Sequence, residues 1–344
     1  MRFVIYGAGA IGGTIGGRLA QAGHAVTLIA RGRHAAALRT EGLRLRSAVD
    51  DVTLHLPVVE GPRELELHAD DVVVLAMKSQ DTFAALDELA AVAPPDLSVV
   101  TAQNGVANER EALRRFARVI AMCVVLPATH LEPGVVEISS SPINGLLDLG
   151  LYPAGVDERV QALAALLTAT TFASLARPDV MRWKYRKLLS NLANAVEAAS
   201  GRLGDSEAAQ ELVRRAREEG STVLRAAGID VASADEDAAH RGDRVVPRPV
   251  AGSSRGGGSS WQSLARGTGA IEADYLNGEI VLLGRLHHIH TPVNALLQRT
   301  ANRLAHERRP PGSVAAEALL AEATRAASPA PLLLDVTGKT QRLP

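Results

Sequence analysis

The sequence predicts an α/β N-terminal domain built on a parallel sheet, followed by an all-helical C-terminal domain. Three observations predict it. Short β-branched runs alternate with segments of helical period through the first half of the chain. A glycine-rich turn joins the first of those runs to the first helix. After about Pro178 strand-like runs nearly vanish and long stretches of helical period take over. Alternation of the first kind is the mark of parallel strands joined by helical crossovers.

Residues 3–6 are the first strand candidate and 12–22 the first helix. Further strands are expected at 25–30, 71–76, 98–101 and 119–126, each a compact apolar run. Between residues 40 and 60, and again from 127 to 152, short β-prone pieces such as Val135-Val136-Glu137-Ile138 sit among Gly and Pro. They are read as hairpins or edge strands, with no register assigned. Helices are expected over 179–200, 206–227, 267–285 and 292–306. A boundary near 172–178 divides the chain into residues 1–176, residues 177–325 and a fraying tail, 326–344. The polar stretch 230–260, rich in Gly, Arg, Pro and Ser, is too long for a simple connection. It is expected to be partly mobile or functional.

Composition limits the function. At 344 residues the chain suits about two domains. Its 47% hydrophobic and 22% charged residues are those of an ordinary globular protein, with aromatics at 3% and therefore an aliphatic core. A formal net charge of −1 and the lack of a basic tract argue against nucleic acid or an anionic membrane surface as partner. The single cysteine, Cys123, cannot form an internal disulfide, which suits a reducing compartment. No signal peptide and no apolar run of about 18 residues is visible, so a cytoplasmic protein without a membrane span is expected.

The turn Gly7-Ala8-Gly9-Ala10-Ile11-Gly12 follows a strand and opens a helix. In that setting glycines allow close approach of backbone to a pyrophosphate, and the helix N-terminus offers unpaired N–H groups. Gly7, Gly9, Ala10, Ile11 and Gly12 are therefore expected to bind a dinucleotide in a Rossmann-type domain. After the second strand stands Ala30-Arg31-Gly32-Arg33, with no acid to bond a ribose 2′-hydroxyl. Arg31 suits a 2′-phosphate instead, which favours NADP(H). Lys78 and Asn104 follow the next strands at the ends where ligands sit in an open parallel sheet. Lys78 offers charge to a phosphate or carboxylate, and Asn104 reaches toward ribose or substrate. In the helical half Lys187, Asn191 and Asn194 fall within roughly 60° of one another on a helical wheel, between a buried and a charged face. That is where a helix would line a cleft. The run His287-His288-Ile289-His290 precedes a turn and is not expected to bind metal.

Together these pieces resemble the ketopantoate reductase family. The resemblance is carried by the glycine turn, Arg31, Lys78, Gln103-Asn104-Gly105, Lys187-x-x-x-Asn191, Ser259-Ser260 and Glu272-x-Asp274-Tyr275-Leu276-Asn277-Gly278, and runs to about Gln298. It implies reduction of 2-dehydropantoate to pantoate with NADPH in a cleft between the domains. It implies that Lys187 is the general acid and that Glu272 bonds the nascent hydroxyl and helps hold Lys187. Asn104, Asn191 and Ser260 would orient the substrate, with Ser259 the alternative serine; Asn194, on the strip with Lys187 and Asn191, is a further substrate-binding candidate. Three features depart from the family's pattern: Ala195 where a second Asn is common, Trp261-Gln262-Ser263 where an Asp is common, and an extended 241–258 stretch. Two alternatives follow from the residues. One is a same-fold NADPH-dependent reductase of another ketone, 2-oxo acid or imine; the other is a non-catalytic NADP(H)-binding sensor, against which Lys187 and Glu272 argue. Apolar faces in the helical half are candidates for a homodimer contact.

Overall fold

The computed structural model describes residues 1–204, 206–250, 252 and 257–327. In the sheet-forming part the elements are, in order, β1 (Arg2–Tyr6), α1 (Ala10–Gln21), β2 (Ala25–Ile29), α2 (Gly32–Thr40), β3 (Leu43–Ser47), β4 (Asp51–Leu54), β5 (Val58–Val59), β6 (Val72–Leu75), α3 (Thr82–Ala90), β7 (Ser98–Thr101), α4 (Asn108–Leu113), β8 (Arg118–Val125), β9 (Ala128–Thr129), β10 (Val135–Ile138), β11 (Gly145–Leu151), α5 (Glu158–Thr168) and β12 (Phe172–Ala173). The helical part follows with α6 (Val180–Asn191), α7 (Ala193–Ser200), α8 (Glu207–Ala226), α9 (Ala234–Arg241), α10 (Ser259–Ala265), α11 (Asn277–Leu286), α12 (Pro292–His306) and α13 (Ala316–Ala327).

The main sheet runs β12-β11-β8-β7-β6-β1-β2-β5. Its neighbours are parallel except where β11 runs against β8. All four residues of β6 and of β7 are buried, as expected for central strands covered on both faces. The chain passes from β1 outward through β2 to β5, then returns to β6 on the other side of β1. That reversal places the C-terminal ends of β1 and β6 at a switch point, where open α/β sheets bind ligands.

The short pieces left without register form a second sheet, β4-β3-β10-β9. Its β3–β10 pair is parallel across about 90 residues of chain, a long-range pairing that local patterning does not encode. The helical domain packs around Leu192, Leu212, Ala216 and Leu297. It docks on the sheet where Val180 and Trp183 of α6 meet Ala121 and Cys123 of β8.

Three helical expectations change. Residues 179–200 are two helices, because the Leu192 carbonyl accepts a hydrogen bond from the buried Asn277 Nδ2 at 3.3 Å and α6 ends there. The 267–285 segment begins instead with a 3₁₀ turn, Glu272–Tyr275, before α11. The stretch 230–260 contains α9, started by a capping box of Ser233 and Glu236. The expected tail falls largely on 328–344, outside the described residues. Among the described residues no helix is long and apolar enough to cross a membrane.

Candidate active site

The glycine turn is packed behind and open in front. Gly7 has φ +100°, and a Cβ there would lie 2.6 Å from the Met77 amide nitrogen. A Cβ on Gly12 would lie 2.2 Å from the Gly7 carbonyl oxygen. Neither position admits a side chain, so α1 sits directly on the end of the sheet. At Gly9 the nearest atom to an added Cβ is 3.9 Å away, in the His130 ring. Gly9 is also the N-cap of α1 and provides no side-chain cap. The first amides of that helix, from Ala10, Ile11 and Gly12, therefore have no side-chain cap, and the N-cap position itself is uncrowded.

Two histidines brace this turn. Gly134 N donates to His34 Nδ1 at 3.0 Å, so His34 Nε2 carries the proton and donates to the Ala8 carbonyl at 2.8 Å. His130 packs on His34 with ring centroids 4.3 Å apart. Burial pushes His130 down to about 4, against the help of its bond to the Val135 carbonyl; the charges of His34 and Arg266 push the same way as burial.

Arg31 lies at the N-cap of α2, at the end of β2. It donates to the Glu60 carbonyl at 3.0 Å and the Tyr6 hydroxyl at 3.2 Å, and it forms an ion pair with Glu88. Tyr6 donates to Glu88 Oε2 at 2.6 Å. An acid does therefore reach the end of β2, from α3, 57 positions along the chain. Sequence reasoning missed it, since nothing local to β2 announces Glu88.

Lys78, at the end of β6, bridges to the helical domain. Its Nζ is 2.6 Å from Glu272 Oε2, and it donates to the Ser259 hydroxyl. Glu272 Oε1 accepts from Ser79 N at 3.0 Å and from Ser79 Oγ at 3.1 Å. Burial would raise the Glu272 carboxyl, but the Lys78 ammonium and the Ser79 bonds outweigh it and hold the group below its ordinary value. Nearby Asp81 is raised by burial and then by the Glu272 charge. In this structure Glu272 pairs with Lys78. Ser259 joins the pair, while Ser260, the serine chosen from sequence, is buried one position on.

The turn after β7 is held from several sides. The Asn104 carbonyl accepts from Ser79 Oγ at 3.4 Å and Asn108 Nδ2 at 3.2 Å. Gln103 Nε2 donates to Thr82 Oγ1 at 2.7 Å and to the Met77 carbonyl at 3.1 Å. Gly105 takes φ +79° against the Tyr275 carbonyl of the helical domain. The Asn104 side chain is half-buried at this junction.

On α6, Lys187 is half-buried and Asn191 follows one turn later, only 5% exposed. Asn191 Nδ2 is buried with no hydrogen-bond partner among the described residues, an unsatisfied donor of the kind a ligand satisfies. Asn194 belongs to α7, and its Oδ1 lies 3.6 Å from where a Cβ on Gly258 would sit, beside the start of α10. One buried cation on α6 escaped the sequence reading. Lys184 pairs with Glu109 at 2.5 Å. Its signal is the core-facing stripe Lys184–Leu188–Leu192, a lysine at the head of an apolar i, i+4 row.

The chain resembles known proteins over most of its length. A family model described as ketopantoate reductase PanE/ApbA matches residues 3–153, and its C-terminal counterpart matches 179–305. A 2-dehydropantoate 2-reductase of Mesorhizobium japonicum is 31% identical over 338 residues, covering 90% of this chain and 99% of its own. One from Pyrococcus horikoshii is 27% identical over 309 residues, covering 86% and 95%. Among solved structures, a PanE/ApbA family ketopantoate reductase from Ralstonia eutropha has a TM-score of 0.74 at 29% identity, over 90% of this chain and 100% of its own. D-mandelate dehydrogenase with NADH and anilino(oxo)acetate has a TM-score of 0.77 at 21% identity, over 90% and 99%. At that identity the likeness speaks to the fold alone.

Proposed function

The chain belongs to the ketopantoate reductase family, oxidoreductases acting on a CH–OH group, and from that premise we propose that it reduces 2-dehydropantoate to pantoate with NADPH. The observation that carries this is the junction of Lys78, Ser259 and Glu272, which sets a buried, ionised carboxylate between the sheet's switch point and the helical domain. The residues present fit the cofactor. Gly7, Gly9, Ala10, Ile11 and Gly12 would take the pyrophosphate, and Arg31 the 2′-phosphate. Lys78 would face a phosphate or the substrate carboxylate, and Asn104 the ribose or substrate.

NADPH held by these residues would supply a hydride for the substrate's carbonyl carbon. Lys187 gives a proton to the carbonyl oxygen as negative charge develops there, and its ammonium stabilises that charge. Glu272 accepts a hydrogen bond from the new hydroxyl. Asn191 offers the substrate its Nδ2–H, which has no partner among the described residues, and Asn194 and Ser259 or Ser260 help to orient it.

The test is NADPH oxidation against a panel of 2-oxo acids, with and without Lys187→Ala. We expect 2-dehydropantoate to give the highest kcat/KM, and the variant to lose on the order of 10³-fold in kcat while binding NADPH normally. Preference for a different 2-oxo acid, with the same dependence on Lys187, would favour a same-fold reductase of other carbonyls. Tight NADPH binding with no turnover of any substrate would leave a non-catalytic binder.

A further inference from the structure

Lys184 is almost wholly buried in α6, and its ammonium meets three acceptors. These are Glu109 Oε1 at 2.5 Å, the Gln103 carbonyl at 3.0 Å and the Met122 carbonyl at 3.3 Å. Two of its N–H donors go to the carbonyls, and the Glu109 carboxylate pairs with its charge. The place is specific. The β7–β8 ladder has its last pair at Thr101 and Ala121. Beyond it β7 peels away into the turn that carries Asn104, and Lys184 supplies the donor for a carbonyl on each side of the gap. Glu109, wholly buried in the first turn of α4, also accepts from Thr101 Oγ1 at 2.6 Å. One cation from the helical domain thus ties together the ends of β7, β8 and α4.

Burying two charges is costly, and an apolar pair of similar volume would often be at least as stable. The gain is therefore in geometry. We propose that Lys184 is a positioning residue: it fixes the backbone next to Asn104 relative to Lys187, one turn further along the same helix. The proposal rests on the reductase reading of this site. It assigns Lys184 no contact with substrate or cofactor.

The test separates geometry from stability. Lys184→Met alone strands a buried carboxylate and is expected to unfold easily. Lys184→Met combined with Glu109→Gln removes both charges and keeps an acceptor for Thr101. We expect the double variant to melt within about 3 °C of wild type. Its amides at 102–106 should nevertheless exchange hydrogen at least roughly tenfold faster, with central β6 unchanged. Its KM for the 2-oxo acid should rise at least roughly tenfold, more than kcat falls. A purely structural ion pair predicts recovery of all three. Wild-type exchange at 102–106, or wild-type kcat/KM, in a stable double variant overturns the proposal. If the wild-type chain turns over no 2-oxo acid, the reductase reading fails, and hydrogen exchange alone then decides whether Lys184 sets this turn.

Discussion

Glu88 changes the electrostatics around Arg31 at the end of β2. Arg31 and Glu88 are both well exposed, with side chains 58% and 37% accessible, so their ion pair is worth at most about 1 kcal/mol. A 2′-phosphate dianion can take Arg31 over at that small cost. The Glu88 charge then remains close by and repels the phosphate. Glu88→Gln is therefore expected to tighten NADPH roughly threefold to tenfold at low salt, with little change for NADH, and Arg31→Ala to abolish the proposed preference for NADPH. Fluorescence titration with both cofactors measures this. If Glu88→Gln weakens NADH and leaves NADPH alone, Glu88 is instead an acceptor for ribose hydroxyls and the preference lies with NADH.

At the scale of the element, the β1–turn–α1 unit separates packing from binding. Gly→Ala within a helix ordinarily gains about 1 kcal/mol. At Gly12 the added methyl meets the Gly7 carbonyl at 2.2 Å, Ile5 Cγ2 at 2.8 Å and Ala76 Cβ at 3.0 Å, so the clash decides the sign. Gly12→Ala should destabilise the fold by about 1–3 kcal/mol and weaken the cofactor with it. Gly9→Ala meets nothing closer than 3.9 Å and should leave the urea midpoint where it is, while still weakening NADPH if its methyl enters the space proposed for the pyrophosphate. Equal loss of stability in both variants would show that the turn is a packing device without an open face.

This unit was also the most legible in the sequence, because everything that makes it is local: a β-branched run, three glycines and a helical period within 20 residues. The central strands β6 and β7 were legible for the same reason. The second sheet was not, since β3 and β10 pair through chain that carries no register signal. The break at Leu192 was hidden because Asn277, 85 positions away, takes its carbonyl. In the candidate site, periodicity put Lys187 and Asn191 on one helical strip but could not place Glu272 beside Lys78 across 194 positions. Ser259 and Ser260, adjacent on α10, could be told apart only by which one the fold turns toward that pair.

At the scale of the whole molecule, the contacts between domains and around the glycine turn include groups whose protonation differs between folded and unfolded chain. His130 sits at about 4 when folded against an ordinary 6.5. Between those values the unfolded chain binds a proton that the folded one refuses, so stability is full above pH 6.5 and falls as pH drops toward 4. His34 is shifted the same way by its burial and adds to this limb. Glu272 is held below its ordinary 4.5, so its contribution is present above that value and is lost at lower pH, beneath the histidine window. The two windows are separable. Urea unfolding from pH 8 to 5 should show a level midpoint down to about 6.5 and then a decline, with about 2 kcal/mol gone by pH 5. His130→Asn should flatten most of that decline, whatever it does to absolute stability. A wild-type midpoint that stays level to pH 5 would mean that the His34–His130 contact opens readily to water, and the glycine turn would then lack the rigid brace described for it.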